Sequence, residues 1–242
     1  MARGFRAAYD SAAFVLAVSF GTFVFAAAAW YLIEKYLTGW GRFGAHGAAY
    51  YILWLVMCGA AHYAWKTRTN EYPAISDTFK CLRTLWLPAT ALFFADAFVT
   101  AVIVGDIYVF ASKLPRPLNF GWIVFAWLGF LWLLMLIYHP VLLSAQSMFE
   151  SKPTPLVIIK KSFLLMADNF RFTLVYFIVL LSIFVISTLL VFVGHALVCF
   201  GLFAFLTAEA VRELFVRYDA VKDEPDEIID TWEIKDPDQR RK

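Results

Sequence analysis

Charge is scarce in this sequence. Only 17% of its 242 residues are Asp, Glu, Lys or Arg, where a soluble domain has roughly 25%, and 62% are hydrophobic where roughly 45–50% is usual. One water-soluble core cannot hide that apolar excess in a chain of this length, so much of it reads as surface in contact with lipid. The formal net charge of +2 is too weak for an overall field and speaks against a nucleic-acid partner. Cysteine is nearly as sparse. Cys58, Cys81 and Cys199 stand far apart with no CxxC and no Cys/His cluster, which leaves a metal site or redox pair without support and predicts three packing residues. Catalytic motifs are missing too: there is no HExxH, no GxSxG, no phosphate loop and no carboxylate cluster with a nearby histidine. No enzymatic activity and no cofactor are therefore expected.

What the chain does contain is long uncharged runs. Ser11 to Ile33 follows Arg3 and Arg6 and, at 23 residues, exceeds the roughly 7–15 of a cleaved signal core, so it predicts a retained span. Phe43 to Trp65 carries no charge beyond that of His46 and His62, Leu85 to Ser112 only Asp96 and Asp106, and Leu118 to Phe149 is interrupted by His139 and Pro140. Phe172 to Ala208 is 37 residues long, too long for one ordinary span, and Gly194-His195 marks a turn that would fold it into a hairpin. The expected fold is all-α, a polytopic transmembrane helical bundle of about six spans over residues 1–218, with 219–242 as an acidic cytosolic tail.

The cations fix the expected orientation. With both termini inside, 17 of 21 Lys and Arg residues fall on the cytoplasmic side and only Lys35, Arg42, Lys113 and Arg116 outside. Both inner loops start at a proline (Pro73, Pro155), alternate apolar and basic residues, and run into the next span. Ile75, Phe79, Leu82 and Trp86 recur at helical spacing beside Lys80 and Arg83; Ile159, Phe163 and Met166 or Phe170 do so beside Lys160 and Lys161. The pattern predicts short interfacial helices whose Lys80, Arg83, Lys160 and Lys161 meet anionic headgroups, and it is compatible with a weak internal duplication. Trp30, Tyr31, Trp65, Tyr108 and Trp122 read as an aromatic belt.

Ionisable groups at membrane depth are costly, so they are the candidates for a site. Asp96 is foremost, expected about 14 Å below the cytoplasmic end of its span, as a carboxylate for a proton, a cation or a polar substrate. Asp106, some 80° around the helix, reads as a headgroup contact. His139 precedes Pro140, where an imidazole can satisfy a carbonyl freed by the proline; a proton relay is the competing role. Glu209, Arg212 and Glu213 are expected to pair locally on one helix. His46, His62 and His195 fall near span ends.

Several segments together resemble the YesL-like family of small bacterial integral membrane proteins. They are Ala48-Ala-Tyr-Tyr-Ile, Lys66 and Arg68, Asn70-Glu71 and Phe79-Lys80, then Pro140-Val-Leu-Leu, Lys160-Lys161-Ser-Phe163, Asn169 and Thr173-Leu174. The likeness reaches about Tyr218 and departs in the first span, at Ala13-Phe14-Val15 and Ser19-Phe20-Gly21. It implies an accessory component of the bacterial inner membrane, associated with a carbohydrate ABC importer, with no catalytic residues to carry over. The expected function is therefore a non-enzymatic accessory or assembly subunit whose partners are the lipid bilayer and other membrane-protein subunits. The alternatives are a small secondary transporter with Asp96 as coupling carboxylate and a membrane-organising or anionic-lipid-binding protein. An Asp96 facing an aqueous cavity would favour transport, and an Asp96 packed against another helix would disfavour it.

Overall fold

In hydrocarbon every backbone N–H and C=O must find its partner within the chain, and uncharged runs of this length do so as helices. A computed structural model describes residues 2–68, 73, 75–115, 118–149, 154–190 and 194–217, and the described residues hold no strand. The chain is an all-α, multi-pass membrane bundle built from α1 (Ala2–Asp10), α2 (Ala12–Tyr36), α3 (Gly39–Arg68), α4 (Ile75–Ser112), α5 (Gly121–Leu136), α6 (His139–Phe149), α7 (Pro155–Asp168), α8 (Phe170–Leu189) and α9 (Phe200–Arg217). The long helices alternate in direction. Five stretches are long and apolar enough to cross a membrane: Ala12–Tyr36, Gly39–Arg68, Cys81–Ser112, Gly121–Ala145 and Phe170–Leu189. The sixth expected span is not among them: its segment is a π-turn (His195–Cys199) running into α9, whose second half carries Glu209, Arg212, Glu213 and Arg217. The 219–242 tail lies outside the described residues.

The hairpin from α8 to α9 forms as expected, but Gly194 is not its bend. Gly194 is already helical, and a Cβ there would lie 2.7 Å from Ser187 Cα, so the glycine serves the close approach of the two arms. At the same end of the bundle, away from α1, α2 turns into α3 through Gly39, whose φ of +56° suits a residue without a Cβ. The leader predicted before the first span is itself helical. α1 buries Ala7 and Ala8 against α9, leaves Arg6, Phe5 and Tyr9 exposed, and sets Gly4 directly over Glu209 and Leu206.

The two inner segments differ from expectation and from each other. The first is no separate interfacial helix; from Ile75 it continues unbroken into α4 past Pro88. Around that proline, Trp54 Nε1 donates to Ala89 O (3.0 Å) and Thr90 Oγ1 to Trp86 O (2.6 Å), side chains supplementing a disturbed ladder. The second, α7, is a distinct helix, but its expected stripe divides: Met166 turns inward and Phe163 and Phe170 do not. Ile158, Ser162, Leu165 and Met166 face the bundle, while Phe163, Leu164 and Phe170 point outward. Trp65 is not a belt residue: it is 1% exposed and packs edge-on against Phe215. Trp30, Tyr31, Tyr108 and Trp122 are exposed, as a belt requires.

Candidate functional site: a buried relay between α4, α6 and α7

The fourth span breaks between Leu136 and His139, where α6 restarts with proline in its first turn. This places His139 on the inner face with no exposed surface. It does not repair its own ladder. His139 Nδ1 lies 3.0 Å from Asp96 Oδ2 on α4, and Nε2 lies 2.9 Å from Ser162 Oγ on α7. The Trp132 ring stands edge-on to the imidazole at 5.7 Å. Asp96 sits near the midpoint of Cys81–Ser112, some 22 Å along the helix from Cys81 and deeper than the sequence indicated. The two ionisable residues singled out for cost alone, 43 positions apart, are thus one site.

Hydrogen-bond accounting describes what this site holds. The single Ser162 hydroxyl proton has an acceptor in Ile159 O at 2.8 Å, so Oγ accepts from a protonated Nε2. The Nδ1···Oδ2 contact then needs one more proton, on either atom. In that arrangement the site carries no net charge. The other arrangement, Ser162 donating to Nε2 and Nδ1–H donating to a carboxylate, has the connectivity of a serine–histidine–aspartate triad and leaves a lone negative charge at mid-membrane, which hydrocarbon disfavours. Nucleophilic use is opposed further by full burial of Ser162. The carboxylate's other oxygen, Oδ1, has no hydrogen-bond partner among the described residues.

The remaining candidates disperse. Arg83 and Lys160 are exposed and Lys161 is half-buried, while the side chain of Lys80 lies outside the described residues. Asp106 is half-buried toward the far end of α4. Glu209 is not spent on local pairing: it is 1% exposed and meets Arg68 of α3 at 2.7 Å. Ser162 and the Arg68–Glu209 pair are what sequence reasoning missed. A polar residue in register with Ile158 and Leu165 was the available signal for Ser162, whereas nothing in the chain between residues 68 and 209 announces the ion pair.

Five other hydrogen bonds at depth likewise join one helix to another. Tyr51 meets Thr90 (2.6 Å), Trp132 meets Thr100 (3.0 Å), Tyr138 meets Thr173 (2.8 Å), Tyr176 meets Thr207 (2.7 Å), and Gly201 N donates to Ser19 Oγ (2.9 Å). Two apolar cavities open among the helices, and neither is lined by Asp96, His139 or Ser162. One of about 370 Å³ lies between α2 and α4 over α3, and one of about 320 Å³ lies among α3, α5, α8 and α9. The chain matches no protein-family model, and no curated protein or solved structure is significantly similar to it.

Proposed function

We propose that this protein is a non-enzymatic accessory or assembly subunit of a bacterial inner-membrane complex, with both termini in the cytoplasm. One observation carries this reading: a set of hydrogen-bonded polar side chains at membrane depth joins helix to helix, and the two cavities described are apolar, as suits a scaffold better than a polar-solute pathway. The YesL-like resemblance adds a carbohydrate ABC importer as the partner to look for first. Affinity purification from the native membrane in mild detergent should recover importer subunits in fixed ratio. Repeated recovery of the chain alone would overturn the reading.

A second reading, a small secondary transporter with Asp96 as coupling carboxylate, draws support from the unpartnered Oδ1 and from the proton that the Nδ1···Oδ2 contact needs. Asp96 packed against α6, away from both cavities, weighs against it. In proteoliposomes under an imposed pH gradient, Asp96→Asn should abolish coupled solute uptake on this reading; undiminished uptake would remove it.

A further inference from the structure

We infer that the groove between α2 and α4 is a binding site for one acyl chain of an anionic phospholipid from the leaflet on the α1 side. This inference is independent of the proposed partner. α3 forms the floor, with Ile52, Leu53 and Val56 along it; Phe14 to Phe25 of α2 forms one wall, and Thr78, Phe79 and Leu82 of α4 the other. Thr22 turns its hydroxyl back onto Val18 O (2.7 Å), so α2 presents the groove with carbon.

Three features select the occupant. The first is length: Phe14 to Phe25 spans about 16 Å of helix, close to half of a hydrocarbon core some 30 Å thick, so the groove reaches from one interface to the middle of the membrane. The second is width. Spread over that length, the 370 Å³ volume gives a mean section of about 23 Å², room for a single hydrocarbon chain, while a helix some 10 Å across needs about 80 Å². A single acyl chain therefore fills the groove, whereas a partner's helix or a second copy's helix could only lie across its mouth. The third is charge. Arg83, exposed and one turn from Phe79 on the same face of α4, borders the groove. An anionic headgroup at the shallow end thus meets the Arg83 guanidinium.

Gly21 offers the test. A Cβ built there meets nothing within 4 Å, so a larger side chain enters the groove without displacing protein; Gly105, equally unobstructed but far along α4, is the control. The full-length protein is reconstituted in vesicles of equal phosphatidylglycerol and phosphatidylethanolamine, extracted in mild detergent and examined by native mass spectrometry. The expected result is one retained phosphatidylglycerol per chain, at least fivefold less in Gly21→Phe, unchanged in Gly105→Phe, and no preference between headgroups in Arg83→Glu. If Gly21→Phe unfolds, phosphatidylglycerol carrying a mid-chain diazirine should crosslink to Phe25 or Ile52 in the wild type. No retained lipid, retention unaffected by Gly21→Phe, equal retention of the zwitterionic lipid by the wild type, or crosslinks confined to the outer face of α4 would overturn the inference.

Discussion

His139 is the residue whose removal should be felt most. It satisfies a carboxylate and a serine at once, and His139→Ala would strand Asp96 at mid-membrane with neither oxygen paired. Breaking one side of a buried pair costs on the order of 3 kcal/mol, while Asp96→Asn, whose amide can still bond Nδ1, should cost nearer 1 kcal/mol. Thermal unfolding in detergent, followed by tryptophan fluorescence, checks the order: a markedly lower midpoint for His139→Ala and a small shift for Asp96→Asn. Equal midpoints would mean that the relay bears no load. Asp96 and His139 were each legible in the sequence because an ionisable group in an apolar run is expensive wherever it points. Their meeting was not legible, since it depends on how α4 and α6 are rotated, and Pro140 suggested a purely local use for the imidazole.

At the scale of elements, the α9 arm shows how one irregularity serves another. A π-turn shifts the hydrogen-bond ladder by one residue and frees an amide, and the N–H of Gly201, just beyond His195–Cys199, goes to Ser19 Oγ on α2. The same glycine lets the backbones touch, since a Cβ at 201 would lie 2.6 Å from Val15 Cα. Gly201→Leu should therefore push α9 off α2 and lower stability by roughly 2 kcal/mol, the usual scale of overpacking. Ser19→Ala, which leaves the amide unsatisfied without a clash, should cost about 1 kcal/mol or somewhat more. Midpoints from the same melts decide between them, and a harmless Gly201→Leu would refute the close contact. The sequence made the apolar runs of these helices plain but not their boundaries. Basic residues near Phe79 suggested an interfacial helix where α4 simply continues, because exposed cations look alike on a surface helix and on a span's first turns. In α7 alternate apolar stripes fitted equally well, and only packing against α4, α5, α6 and α8 chose Ile158 over Ile159.

For the whole molecule, orientation follows from where the cations stand, and the buried native cysteines make it easy to read. A membrane-impermeant maleimide should label Trp40→Cys, at a position 90% exposed at the end away from α1, in intact cells, and Lys160→Cys only after permeabilisation. Labelling of Lys160→Cys in intact cells would invert the topology. Fold class and span positions were legible at this scale because solvation by lipid is written in composition. Helix order in space was not, since any cyclic arrangement of the five apolar rods satisfies the same hydropathy.

That order has a temporal side. The bond from Ser19 to Gly201 joins residues 182 positions apart. At synthesis rates of about 5–20 residues per second, α2 can settle on α3 early but must wait roughly ten to forty seconds for α9 to emerge. Until then the Ser19 hydroxyl and the Val15 backbone face lipid uncovered, so a ribosome stalled before Gly201 would hold a protein that is inserted but not yet closed, the form an insertase or a quality-control protease would meet.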